Sequence, residues 1–216
     1  MINLYAKRKF TLPIFAECIT PDNFQGKTIE EIETLKVWEG NKEKKLAEIF
    51  KVERIKKEEE NEPIITIYGD LRKIRMIGAK MTKGQIIIHG DVGMYLGQEM
   101  EDGKITVRGN ADRWAGSMMK GGTIEIYGNA GSYLAAPYRG STAGMRGGKI
   151  IVGGTIESVL PTFTIEGLKK KVKVEEGEVV EGPFYLFSGD ITENGEGKLY
   201  ISKMKNPHLS FYEKLI

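Results

Sequence analysis

The sequence predicts a mainly β chain, built as a right-handed parallel β-helix of roughly 19-residue coils, with a small α+β lobe before it and a β-rich cap after it. Three observations predict this. Nineteen of the 27 glycines fall between Gly69 and Gly154. A short alternating apolar run ending in glycine recurs five times in that stretch, and a glycine–methionine signature closes each unit before the next run begins. Self-similarity at a fixed period is the mark of a stacked-repeat architecture.

The opening runs are Ile65-Thr66-Ile67-Tyr68-Gly69, Ile86-Ile87-Ile88-His89-Gly90, Ile105-Thr106-Val107-Arg108-Gly109, Ile124-Glu125-Ile126-Tyr127-Gly128 and Ile150-Ile151-Val152-Gly153-Gly154. Asp70, Asp91, Asn110 and Asn129 follow the first four, and Thr155 the fifth. The closing signature places Met81, Met100 and Met119 between glycines three residues to either side, and in the fourth unit Thr142 precedes Met145 and Gly148. Successive runs are offset by 21, 19, 19 and 26 residues, with both excesses between the two signatures, so the basic unit has 19 residues.

Apolar alternation makes each run a short strand with one apolar face. One such unit cannot bury that face alone, whereas parallel stacking of successive units encloses a continuous interior. Gly69, Gly90, Gly109, Gly128 and Gly154 are then bend glycines expected at positive φ. The acid or amide after each bend tolerates left-handed backbone and bonds locally, and the methionines point inward to fill irregular space. A leucine-rich repeat would need a leucine ladder, which is absent. A left-handed hexapeptide helix would need 18 residues per coil.

The flanks divide the chain into residues 1–62 as an N-terminal capping lobe, 63–160 as the coil and 161–216 as a C-terminal cap. Thr20-Pro21 reads as a helix start, and Thr28-Ile29-Glu30-Glu31 as a capping box opening a helix over Ile29 to Thr34. Leu35 to Trp38 reads as a strand entering a Gly40-Asn41 turn, and the charged tract Lys56 to Glu62 as a loop. In the cap, Lys171 to Val174, Phe184 to Phe187 and Leu199 to Ile201 read as strands.

Composition excludes several functions. The 32 basic and 30 acidic residues nearly cancel, which disfavours a nucleic-acid surface. The single cysteine, Cys18, forms no intrachain disulfide and by itself holds neither a zinc ion nor an iron–sulfur cluster. Met1 to Phe10 lack the apolar run of a signal peptide, and no stretch approaches the ~18 uninterrupted apolar residues of a membrane span. A cytoplasmic chain is expected.

Candidate chemistry is sparse. His89 falls on the outward phase of its strand, in the column of Tyr68, Arg108 and Tyr127, and His208 has no partner legible in sequence. The Asp70, Asp91, Asn110 and Asn129 ladder turns to amide halfway, which suits bend stabilisation better than acid–base catalysis. No P-loop, nucleophile-elbow or zincin motif occurs. Catalytic, cofactor-binding and metal residues are therefore expected to be absent. The informative irregularity is the seven-residue excess of the fourth unit, in Tyr133-Leu134-Ala135-Ala136-Pro137-Tyr138-Arg139-Gly140-Ser141-Thr142. Tyrosine and arginine are favoured at interface hot spots, so Tyr133, Pro137, Tyr138, Arg139 and Arg146 are candidate partner-docking residues.

The Arg139-Gly140 and Gly144-Met145-Arg146-Gly147-Gly148 block resembles the glycine-rich domain shared with the C-terminal part of the glutamate synthase large subunit. Ile19-Thr20-Pro21-Asp22, Gly40-Asn41, Ile49-Phe50-Lys51-Val52, Phe187-Ser188-Gly189-Asp190, Gly197-Lys198-Leu199-Tyr200 and Asn206-Pro207-His208 resemble the C subunit of formylmethanofuran dehydrogenase, from about Ile19 to His208. The resemblance implies an archaeal complex that begins methanogenesis by reducing CO2 and fixing it as formylmethanofuran. In that family a pterin oxidoreductase chain holds molybdenum or tungsten, an amidohydrolase-like chain holds a dinuclear metal site, and iron–sulfur proteins supply electrons. The C subunit is the β-helical member taken to organise them, with no cofactor of its own. Two other readings stand beside this noncatalytic scaffold: a stand-alone carbohydrate-active enzyme using the Asp/Asn ladder, and a glutamate-synthase-type structural domain.

Overall fold

The structure, a computed structural model, describes all residues except 56–62, 139, 142, 161 and 174–178, together with the backbone but not the side chain of residue 193. The expected loop over Lys56 to Glu62, and Arg139, Thr142 and Val174, lie outside the described residues.

The chain is mainly β. Its elements are β1 (Ile2–Ala6), β2 (Ile14–Phe15), α1 (Pro21–Phe24), α2 (Ile29–Glu33), β3 (Lys36–Glu39), β4 (Lys42–Lys45), α3 (Leu46–Ile49), β5 (Phe50–Arg54), β6 (Ile64–Tyr68), β7 (Ile74–Arg75), β8 (Gln85–His89), β9 (Lys104–Val107), β10 (Thr123–Ile126), β11 (Lys149–Val152), β12 (Thr164–Lys173), β13 (Val179–Gly189) and β14 (Gly197–Ser202). Two 3-10 turns cover Ile191–Glu193 and Pro207–Leu215. A ten-stranded mixed sheet runs β12-β13-β14-β11-β10-β9-β8-β6-β1-β5, and a four-stranded sheet runs β4-β3-β2-β7.

The repeat periodicity becomes strand register. Ile65 pairs with Ile86, Ile86 with Ile105, Ile105 with Ile124 and Ile124 with Ile150, all in parallel. These five isoleucines are fully buried, as is the second row formed by Ile67, Ile88, Val107, Ile126 and Val152. The stack is longer than the repeat. β1 adds a parallel rung before β6 through Ile2↔Ile65 and Leu4↔Ile67, and β14 adds one after β11 through Ile150↔Leu199 and Val152↔Ile201. Residues 1–62 lack the glycine signature, yet they supply one rung, β1, and its antiparallel neighbour β5. At the other end β13 pairs antiparallel with β14, and β12 with β13.

Two further rows of backbone contact run beside the strands. Single parallel bridges link Leu71 to Val92, Val92 to Ala111 and Ala111 to Ala130. Beyond them, the amides of Gly97, Gly116 and Ala135 donate to the carbonyls of Ile77, Leu96 and Ala115 at 2.8–2.9 Å. Met81, Met100, Met119 and Met145 are fully buried, as expected.

The strands are buried on more than one face. The outward-phase Thr66, Thr106, Glu125 and Ile151 are also buried. At one end the cause is visible: Ile151 packs with Val172 and Phe184 of the β12–β13 hairpin in a second small core, with Tyr200 against it.

The bend glycines depart in part from expectation. Gly69 and Gly90 are left-handed, at φ 124° and 139°. Gly109, Gly128 and Gly154 are not, and what they require is room. A Cβ on Gly109 would stand 2.6 Å from the Gly90 carbonyl oxygen and from Asp91 Oδ1. Gly128 and Gly154 face the same backbone of the preceding unit. The main left-handed bends sit in the closing signature instead, at Gly78, Gly84, Gly97, Gly103, Gly116, Gly122 and Gly148.

Local capping follows the sequence. Thr20 caps α1 by accepting from the Asn23 amide at 3.1 Å. Thr28 and Glu31 form the expected reciprocal box on α2, at 3.2 and 2.7 Å. The strand expected over Leu35 to Trp38 is β3, and those of the cap are β12, β13 and β14.

Gly122 combines a φ of +75° with a would-be Cβ 2.7 Å from both the Gly103 carbonyl oxygen and Met100 Cε, whereas Gly26, also at φ +75°, faces open space. Gly26→Ala is expected to cost ~1–2 kcal/mol, the left-handed penalty alone. Gly122→Ala is expected to cost about 1–3 kcal/mol more, from overpacking. Chemical denaturation of both variants checks this, and equal losses would show that the close approach does not matter.

Candidate functional site

Stacking carries every repeated outward side chain into a row. The first row runs along the strands: Tyr5, Tyr68 and His89 stack with ring centroids 5.0 and 4.7 Å apart and nearly parallel planes. The Arg108 guanidinium sits 4.6 Å over the Tyr127 ring. His89 therefore fills the surface of an aromatic column, in the outward position that alternation assigns it.

The second row is the acid–amide ladder. Asp91 Oδ1 accepts from the Asn110 amide, Asn110 Oδ1 from the Asn129 amide and Asn129 Oδ1 from the Thr155 amide, each at 2.8 Å. The bend after each strand is thus tied to the unit before it, and these oxygens are engaged by backbone. Asp70 begins the row differently. It takes Arg72 Nε and Nη2 at 2.8 and 2.6 Å, and the guanidinium holds its carboxyl at about 2.

The third row is not legible as a site in the sequence. Met76, Tyr95, Trp114 and Tyr133 recur every 19 residues, all with φ of 60–64°. Tyr95 stacks on Trp114 at 5.2 Å and Trp114 on Tyr133 at 4.7 Å. Tyr133 is accordingly a regular repeat position. The Ala135 amide, with φ 60°, makes the bond that Gly116 and Gly97 make in their units, so the extra residues begin after Ala136. They carry Tyr138 back to Tyr95, ring to ring at 5.6 Å.

Tyr133 and Tyr138 are both about half exposed. Pro137, with Arg113, Trp114, Tyr133 and Leu160, lines a cavity of about 410 Å3, whereas Tyr138 lines another beside Tyr95. Tyr133 and Pro137 are thus brought together, and Tyr138 faces the neighbouring cavity. Arg146 belongs to another row: its amide donates to the Met119 carbonyl, the step by which Lys120 follows Met100. Tyr95 and Trp114 escape sequence reasoning because the opening and closing signatures flank their column without including it. A 19-residue step from Tyr133 reaches both.

Elsewhere, burial pushes the Cys18 thiol up to about 12, which keeps it protonated and unreactive. Among the described residues no group of three or more histidine, cysteine, aspartate or glutamate side chains is placed to hold a metal ion, and no helix is long and apolar enough to cross a membrane.

No protein-family model matches the sequence. A 94-residue stretch, 44% of this chain, is 46% identical to the C subunit of the molybdenum-containing formylmethanofuran dehydrogenase 1 of Methanothermobacter marburgensis. This chain has homologues among the C subunits of formylmethanofuran dehydrogenase. The C subunit of the tungsten-containing dehydrogenase 2 of Methanococcus maripaludis is 38% identical over 93 residues, 43% of this chain. The matched stretch spans 23% of the first of these relatives and 33% of the second, about a quarter to a third of their length. The matched stretch is also narrower than the Ile19 to His208 range of the sequence resemblance. A chain in the crystal structure of the FhcABCD formyltransferase/hydrolase complex of Methylorubrum extorquens, with methylofuran, shares the fold. Its TM-score is 0.59 at 21% identity, with 93% of this chain and 99% of that chain covered.

Asp70 and Asn110 yield two expectations. Because the folded carboxyl of Asp70 titrates below its ordinary value of 3.8, the Arg72 contact stabilises the fold above about pH 4 and is lost as pH falls toward 2. Arg72→Ala should return Asp70 to the ordinary range in an NMR carboxyl titration, and the stability gap between variant and parent should narrow below pH 4 and close as pH falls to about 2. Asn110→Ala should cost ~1 kcal/mol by removing the acceptor of the Asn129 amide, read by urea denaturation, and a neutral result would remove the ladder from the bend's support.

Proposed function

We propose that this chain serves as a noncatalytic scaffold in a formylmethanofuran dehydrogenase complex, corresponding to part of its C subunit. The observation that carries the reading is the 46% identity over 94 residues to a molybdenum-type relative, with the tungsten-type relative at 38%. The stacked rows support a right-handed parallel β-helix of about 19-residue coils as the form of that scaffold. Residues 63–160 supply the repeated coils, and 1–62 and 161–216 each add one parallel rung, β1 and β14, before capping them. On this reading the pterin centre with molybdenum or tungsten, the iron–sulfur clusters and the dinuclear metal site belong to other subunits, in the cytoplasm.

The chemistry of the surface fits such a role. The acid–amide ladder is spent on backbone amides, which argues against the carbohydrate-enzyme reading. Tyr133 and Tyr138, each about half exposed, are of the kind that anchors interfaces, and Tyr138 is held back against Tyr95 rather than left free in a loop. A pterin oxidoreductase chain and an amidohydrolase-like chain are the partners this reading names.

Anaerobic affinity capture from a methanogen lysate, followed by mass spectrometry, tests the proposal. Both chains should be recovered, and Tyr138→Ala combined with Arg139→Ala should lower their recovery several-fold. Recovery of both chains undiminished by the double variant keeps the scaffold and removes the loop as its anchor. Recovery of neither by the unaltered chain overturns the assignment.

A further inference from the structure

A cavity of about 270 Å3 lies beside the third row, where β2 of the N-terminal segment meets the first two repeat units. Phe15, Met76, Tyr95 and Tyr138 form its apolar and aromatic walls; Glu17, Glu99 and Lys80 stand around it, and Gln98 lines it.

Gln98 is the anomaly. Its column in the repeat reads Ala79, Gln98, Ser117, Ala136. The chain puts a long polar side chain where the other units place alanine or serine. Ser117 spends its hydroxyl on the Ala136 carbonyl at 2.7 Å. Gln98 is 7% exposed, and its Oε1 has no hydrogen-bond partner. A buried acceptor without a donor is costly and uncommon, and Gln98 is both the residue that carries one and part of this cavity's lining.

The surroundings select the donor's charge. The lining carries two carboxylates and one ammonium, with a second cation, the Arg75 guanidinium, over the Phe15 ring, and among the described residues neither Glu17 nor Glu99 is held in an ion pair. Aromatic faces attract cations, and this wall already shows the preference: the Arg75 guanidinium lies 5.3 Å over the Phe15 ring. The insertion completes the enclosure by bringing Tyr138 to Tyr95. A neutral donor would satisfy Gln98 but would leave the two carboxylates unused.

We propose that this cavity is a binding site for an organic cation bearing N–H donors, a guanidinium or primary ammonium group. One N–H donates to Gln98 Oε1, the charge faces Glu17 and Glu99, and the apolar stem lies against Tyr95 and Tyr138. A free small amine and an arginine or lysine side chain of another polypeptide carry the same chemistry.

Isothermal titration calorimetry on the full chain tests this with ethylguanidinium, N-acetyl-arginine methylamide and, as the neutral control, ethylurea. Both guanidinium compounds should bind saturably at millimolar concentrations and ethylurea should not. Gln98→Ala should weaken binding about tenfold or more, the loss of a hydrogen bond to a charged group. Its melting temperature should not fall, because alanine occupies the same position in two other units and an unsatisfied amide is removed. Glu99→Gln, which preserves shape, should weaken binding as well. Tighter binding of the capped arginine would assign the site to a polypeptide side chain, and tighter binding of ethylguanidinium to a free amine. Absence of saturable binding by either cation, equal binding of ethylurea, or affinity unchanged in Gln98→Ala would overturn the proposal.

Discussion

Ile105 lies in register between Ile86 and Ile124, and none of the three is exposed. That repeated contact is the constraint on which the rest of the molecule depends. A 19-residue unit has too little apolar surface to enclose its own strand, so it is stable only between two copies of itself. Each parallel pairing fixes register for the whole unit. Register in turn places the bridge row of Leu71, Val92, Ala111 and Ala130 and the methionine row of Met81, Met100, Met119 and Met145 without further instruction. Close-packed interiors leave little tolerance. The glycines of the closing signature answer two demands at once, a left-handed φ and a neighbouring unit that a side chain would strike, as at Gly103 against Met81 and Gly122 against Met100.

The same stacking dictates the surface. Parallel strands are about 4.8 Å apart, which is close to the 4.7–5.2 Å between stacked rings in both aromatic rows. An aromatic residue that recurs at the unit's period therefore finds a stacking partner with no adjustment of backbone. An asparagine at the period similarly finds the amide of the next unit within reach, as Asn110 and Asn129 do. A departure from the period becomes correspondingly conspicuous. Gln98 in a column of alanine and serine and the extra residues after Ala136 are two such departures, and they meet at one cavity.

The repeat is legible because each of its residues answers to a local rule. Isoleucine alternation, a glycine at each bend and a methionine at fixed distance specify the register that the strands adopt, residue for residue, from Ile65 to Ile150. The caps Thr20 and Thr28 are legible for the same reason. What sequence leaves out is nonlocal. β1 carries Ile2 and Leu4 in the right alternation but no glycine signature, and only its pairing with β6 reveals it as a rung. The role of Gly109 and Gly128 differs from expectation because a close approach and a left-handed bend leave the same letter in the sequence. The candidate surface is half legible: Tyr133 and Tyr138 stand out as an irregularity, while Tyr95 and Trp114, which hold them, sit in a column that neither signature includes.

Each margin of the parallel stack is flanked by a strand of opposite sense, β5 at one side and β13 at the other, and β12 pairs antiparallel with β13 beyond it. The neighbour of β14 is thus not another parallel rung, and the edge strand β12 carries Lys169, Lys170, Lys171 and Lys173 as charged deterrents to pairing. Among the described residues the stack has seven rungs, from β1 to β14, and six spacings of ~4.8 Å make about 29 Å. It is a ruler as much as a wall. Whatever is held near its two margins is kept apart by a length that can change only by whole rungs, so gaining or losing one repeat would move such partners by about 4.8 Å while leaving every local contact of the remaining units in place.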